Sequence, residues 1–166
     1  MLRIVLIVHN IRSAHNVGSI LRSADGFGVE KVYLTGYTPY PLMIDDNRLP
    51  HAARRAAAQI AKTALGAEKT LNWQPKTDVL KVISKLKKNG FLIVALEQTK
   101  QAINLSEFGT AKNLALIVGS EIGGLEPVVL EKADTQIEIP MLGNKESFNV
   151  AVAAAIALYH LRWYNR

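Results

Sequence analysis

Residues 114–118 read LALIV, apolar without a break, and stop at Gly119, Ser120 and Glu121. An uninterrupted run of that length marks a strand whose sheet is covered on both faces. Apolar runs at 2–8, 31–35 and 91–96 read the same way, and 136–141 is a further strand. Between the runs the period changes. In 16–27, Val17, Ile20, Leu21 and Ala24 recur at i, i+3, i+4 and i+7, which predicts a helix with those four on one side and Arg22 roughly opposite. In 78–88 the same spacing turns Val79, Val82, Ile83 and Leu86 inward and leaves Lys81, Lys85, Lys87 and Lys88 on a solvated face. Residues 50–62 form another helix carrying His51, Arg54 and Arg55, and Pro127 suits the first turn of a shorter one. From Ser147 the pattern becomes FNVAVAAAIALYHL, apolar on every side, which predicts a helix buried all round. Its apolar core of about ten residues is too short to span a bilayer.

Three stretches break the alternation. Residues 36–49 are a long loop rich in Tyr, Pro and Asp, of the kind that carries function. Residues 63–72 are an irregular or short-strand connection, and Trp73 and Pro75 lead out of it. Gly123 and Gly124 permit a sharp turn or the close approach of a ligand to the backbone.

Strands alternating with helices predict an α/β domain over residues 1–166, mostly a parallel sheet with helices on both faces. Ligands of such sheets bind beyond the carboxyl ends of the strands, here the loops after Val8, Leu96, Val118 and Ile139. Ser147 and Asn149, at the head of a dry helix, are either its cap or the edge of a site.

Composition narrows the chemistry. The 166 residues are 49% apolar and 20% charged, as a folded globular chain requires. The absence of cysteine excludes disulfides, thiolate metal sites and cysteine nucleophiles. The amino terminus lacks a small-residue cleavage site and reads as a first strand, so a cytoplasmic location is expected. A net charge of +6 suggests a polyanionic partner. The phosphate-cradling GxxxxGK[ST] and the nucleophile motif GxSxG are absent. The nearest approach to GxGxxG, at 26–31, lacks the third glycine and precedes a strand. His9, His15, His51 and His160 show no zinc-ligand spacing, so no metal is expected.

Three segments carry a resemblance. NVGSILRSADGFG at 16–28, IVGSEIGGL at 117–125 and IPMLGNKESFNVAVAAAIALYH at 139–160 are similar, in order and spacing, to the motifs of SpoU/TrmH-type RNA 2′-O-ribose methyltransferases of the SPOUT superfamily. Phe148 stands where the family pattern has leucine. The resemblance implies a C-terminal deep trefoil knot and a homodimer whose active sites draw on both protomers. It implies S-adenosylmethionine held in the knot by Leu96, Glu97, Gly119, Ile139, Met141 and Phe148. It also makes Arg22 the essential arginine, carried with Asn16, and gives Glu121, Ser147 and Asn149 the remaining catalytic positions. Arginine stays protonated, so Arg22 is expected to grip an RNA phosphate and stabilise charge at the ribose oxygen. Glu121 is expected to fix Asn16 or a loop amide, and Ser147 with Asn149 to order the same loop.

The implied substrate is tRNA or rRNA. No added RNA-binding domain is expected after Trp163, so recognition is expected on the dimer surface, at Arg12, Arg54, Arg55 and the 36–49 loop. Two other readings stand beside this one: a knotted RNA-binding protein without the chemistry, and a small nucleotide-binding domain of the flavodoxin or Rossmann kind.

Overall fold

The computed structural model describes residues 2–109 and 112–164. Seven parallel strands form one sheet: β1 (Ile4–His9), β2 (Lys31–Thr35), β3 (Trp73–Lys76), β4 (Leu92–Leu96), β5 (Ile103–Asn104), β6 (Leu114–Val118) and β7 (Thr135–Glu138), in the order β3-β2-β1-β6-β4-β7-β5. The helices are α1 (Ala14–Gly26), α2 (Pro50–Ala64), α3 (Ala67–Thr70), α4 (Val79–Lys88), α5 (Pro127–Leu130) and α6 (Val150–Trp163).

The central strands show why unbroken apolar runs were required. In β1, Ile4, Leu6 and Val8 face one core, and Val5 and Ile7 the other. In β6, Leu114, Leu116 and Val118 divide from Ala115 and Ile117 in the same way. Side chains alternate across a strand, so a sheet packed on both faces needs apolar residues at every position. The first core takes in α1 (Val17, Ile20, Leu21, Ala24) and α6; the second takes in Val79, Val82, Ile83 and Leu86 of α4. Helices α1 and α4 present the faces their periods predicted.

Several boundaries differ from expectation. Residues 73–76 form β3 instead of a lead-out; it lies at the sheet edge, where Pro75 forgoes a donor at little cost. Residues 67–70 of the supposed irregular connection are helical. The last strand closes at Glu138 instead of 141, two residues before Pro140. Helix α1 begins at Ala14, because Ser13 caps it by accepting from Asn16 N at 3.2 Å. Asn16 therefore sits inside its first turn.

Helix α6 corrects the expectation of burial on all sides. Ala151, Ala154, Ala157, Leu158 and Leu161 are buried, whereas Val152, Tyr159 and Trp163 are 47%, 47% and 63% exposed. Its composition matches a buried helix, yet within one chain only one face is covered. Its far end is pinned by Arg162, which donates to the carbonyls of Leu2, Phe27 and Gly28 at 2.7–2.9 Å. No helix of the described residues is long and apolar enough to cross a membrane.

Candidate active site

A cleft of about 340 Å³ opens at the carboxyl ends of β4, β6 and β7. It is lined by Leu96, Glu97 and Gln98 after β4, by 118–124 after β6, by Glu138 and Ile139 after β7, and by Glu146, Ser147, Phe148, Val150 and Ala153 leading into α6. Such a volume suits a small-molecule ligand.

The wall after β6 is a tight turn. Ser120 N donates to Gly124 O at 3.2 Å, and Gly124 N donates back to Ser120 O at 3.0 Å. Gly124 has φ +62°, the left-handed region that favours glycine, and a Cβ there would collide with the Glu97 carboxylate. A Cβ on Gly119 would lie 2.7 Å from the Gly124 carbonyl carbon. Glu97 is thus more than a lining residue. Its carboxylate accepts from Leu125 N at 2.8 Å and Gln98 N at 3.1 Å, tying the end of β4 to the turn.

Beside the cleft, one chain of hydrogen bonds joins all three motif segments. Asn149 caps α6 by accepting from Ala151 N at 2.9 Å and donates through Nδ2 to Asn16 Oδ1 at 3.2 Å. Asn16 in turn donates to Glu121 Oε1 at 2.8 Å. An ionised carboxylate only accepts, so Glu121 fixes the orientation of both amides. It also receives the backbone N–H groups of Arg12 at 3.2 Å and Ser13 at 3.4 Å. Burial pushes the Glu121 pKa up, but the bonds from Asn16 and the backbone outweigh it and hold the carboxyl below its usual range.

Of the residues the sequence put forward, Leu96, Glu97, Gly119, Glu121, Ile139, Ser147 and Phe148 line the cleft. Asn16 and Asn149 stand beside it through Glu121. Ser147 does not cap α6; Asn149 does. Met141 lies half-buried in the loop after β7, outside the lining. Arg22 is exposed on α1 in a separate groove with Ser19, Phe27, Lys62 and Ala155. The backbone of Arg12 adjoins the site, while Arg54 and Arg55 are exposed on α2. Arg48, in the long loop, is occupied: its guanidinium lies 3.6 Å from the Tyr40 ring centroid and donates to Asp46 Oδ1 at 2.9 Å and the Tyr40 carbonyl at 2.9 Å. Tyr37, Leu42 and Ile44 are exposed on the same loop.

Sequence reading passed over Gln98, Glu138, Glu146 and the pair His9–Glu126. Glu126, just before Pro127, carried only the signal of a helix start.

Over residues 3–159 the sequence matches the SpoU rRNA Methylase family. The chain belongs to that family. A relative from Staphylococcus saprophyticus, named for the TrmH family of tRNA/rRNA methyltransferases, is 33% identical over 95% of the chain; the chain spans 57% of that relative's length. The TrmH/SpoU tRNA modifying enzyme of A. aeolicus is structurally similar with a TM-score of 0.78, at 28% identity over 96% of this chain and 73% of that one. An RNA 2′-O ribose methyltransferase gives 0.76, at 29% identity over 95% of this chain and 54% of that one. An AdoMet-bound rRNA methyltransferase from Sinorhizobium meliloti shares the fold, with a TM-score of 0.81 at 20% identity over 98% of this chain and 56% of that one.

The site sets an acid limit on stability. Burial holds the His9 pKa below its ordinary value of 6.5, so the unfolded chain binds that proton first and stability falls as pH drops from about 6.5. Glu121 and Glu126 are lowered from 4.5; their contribution is present above that value and lost as pH falls through the lowered pKa. Thermal unfolding against pH is therefore expected to show a decline beginning near 6.5 and a second below 4.5. A first decline that survives His9→Gln would contradict this account.

Proposed function

We propose that this chain is an S-adenosylmethionine-dependent RNA 2′-O-ribose methyltransferase acting on tRNA or rRNA. The observation that carries the reading is the Asn149–Asn16–Glu121 chain, which draws the three family segments together at the rim of one cleft. The charge of the cleft supports it. Its lining includes Glu97, Glu121, Glu138 and Glu146 and no Lys, Arg or His. A sulfonium cofactor suits such walls, and a nucleoside polyphosphate does not, which counts against the nucleotide-binding alternative. The intact polar chain counts against an inactive RNA binder.

When bound, the cofactor supplies an electrophilic methyl group; the chain supplies position and charge. The closely packed backbone at Gly119 and the ends of β4 and β7 would receive it, with Phe148 and Ile139 as apolar walls. Glu121 and Asn16 hold the 12–16 turn against the cleft rim, where they would help to position an entering 2′-hydroxyl beside the bound cofactor. Arg22 provides a permanent cation for the RNA phosphate and for charge developing on the ribose oxygen.

Arg22 lies outside the lining of its own chain's cleft, and α6 leaves Val152, Tyr159 and Trp163 uncovered. A homodimer meets both facts: it buries the apolar face and delivers Arg22 to the partner's cleft. The proposed knot draws support from the strand order, in which β7 enters between β4 and β5, strands that precede it in the chain. Incubating the protein with methyl-labelled S-adenosylmethionine and bulk tRNA or rRNA tests the whole reading. Label in RNA supports it, and failure to bind the cofactor removes it.

A further inference from the structure

The turn that forms the cleft wall carries a second carboxylate. Glu121 holds the 12–16 turn; Glu126, on the far side of the Ser120–Gly124 closure, holds its root. Glu126 Oε1 accepts from Asn10 Nδ2 at 2.6 Å, and Oε2 lies 3.0 Å from His9 Nε2. His9 is only 5% exposed, and its Nδ1 is 2.8 Å from the Thr35 hydroxyl. A neutral ring satisfies this arrangement by donating from Nε2 to Glu126 and accepting at Nδ1 from Thr35. Asn10 has φ +56°, conformationally tolerable for asparagine. Its Oδ1 accepts from Tyr37 N at 3.2 Å, and its own N–H donates to Thr35 O at 3.2 Å. The path runs from the cleft wall through Glu126 and Asn10 to exposed Tyr37, at the start of the 36–49 loop.

We propose that Glu126, acting through His9 and Asn10, is a positioning residue that keeps the candidate RNA-facing segments, 10–16 and the start of 36–49, in register with the cofactor cleft. The proposal rests on the methyltransferase reading above. Glu121 holds the 12–16 end of the segment and the backbone bonds of Asn10 and Ile11, to Thr35 O at 3.2 Å and Thr38 Oγ1 at 3.1 Å, hold the other; among the described residues Glu126 alone ties the Asn10 side chain to the turn that walls the cleft. Glu126 is 46% exposed, so its bonds carry only a modest share of global stability and their main effect is local.

The test compares Glu126→Ala, Glu126→Gln and Asn10→Asp with wild type by steady-state methyl transfer, cofactor calorimetry and amide hydrogen exchange. Glu126→Ala is expected to lower kcat about tenfold or more, because small misplacements at a reaction centre are costly, while cofactor affinity stays within about twofold. Amides of Arg12, Ser13 and Tyr37 should exchange faster. Glu126→Gln should recover most of the rate, since its amide can accept from Asn10 and donate to a ring whose proton has moved to Nδ1. Asn10→Asp keeps the acceptor for Tyr37 but sets a carboxylate against Glu126, and should lower kcat as Glu126→Ala does. A folded Glu126→Ala protein with unchanged kcat, or with cofactor affinity falling as far as kcat, overturns the proposal. If wild type transfers no methyl group, the methyltransferase reading fails, and the exchange data decide the brace: faster exchange retains it, unchanged exchange refutes it.

Discussion

Arg22→Ala is expected to lower methyl transfer to RNA by about 10²–10³-fold or more and to leave S-adenosylmethionine affinity within about twofold. The loss follows from chemistry: a permanent cation at a developing alkoxide stabilises the transition state, and alanine supplies neither charge nor hydrogen bonds. The sparing of the cofactor follows from charge, because a cationic sulfonium gains nothing from a guanidinium nearby, and Arg22 lines no part of its own chain's cleft. Arg22→Lys should recover only part of the rate, since a point charge cannot reproduce a guanidinium fork. Rates and calorimetry on the same preparation decide it. Loss of cofactor binding in Arg22→Ala would contradict the assignment.

Gly124→Ala has the opposite signature. Alanine at φ +62° meets a penalty of about 1–2 kcal/mol, and its Cβ collides with the Glu97 carboxylate that fastens the turn to β4. The turn must open or Glu97 must leave, and either outcome reshapes the cleft wall. Cofactor affinity is expected to fall about tenfold or more, with a stability loss of about 2–3 kcal/mol. Calorimetry and denaturant titration measure the two effects. Unchanged affinity in a folded Gly124→Ala protein would show that the turn does not form the cofactor wall. The two variants also report on each other: in the proposed homodimer, mixing with subunit exchange would pair one intact cleft with one intact Arg22 in each heterodimer, so activity returns if Arg22 acts across the dimer. Mixtures that stay inactive despite exchange contradict that arrangement.

The strands β1, β2, β4 and β6 were legible because a sheet covered on both sides leaves no polar alternation to confuse them. The inward faces of α1 and α4 were legible from their period. Residue 73–76 was not, since an edge strand of four residues containing Pro75 lacks the run that betrays a central one. The face of α6 was misjudged for a different reason: Val152, Tyr159 and Trp163 are apolar yet exposed within one chain, and a helix apolar all round gives no period from which its covered face can be read. Within the site, Asn16, Glu121 and Asn149 meet as the family resemblance of the three segments implied. Glu126 and His9 were invisible because their bond spans 117 positions and neither residue stands in an obvious pattern. Arg22 could be placed opposite the core from its period, but no single-chain pattern says which cleft it serves.

The most direct test of the central claim is the chemical position of the transferred methyl group. RNA from cells lacking this protein, labelled with wild-type enzyme and S-adenosylmethionine, is digested with alkali and its products are resolved. The account predicts label in an alkali-resistant dinucleotide, because a 2′-O-methyl group removes the hydroxyl that cleaves the adjacent phosphodiester. Label that appears only in alkali-released mononucleotides, on a base, would contradict it.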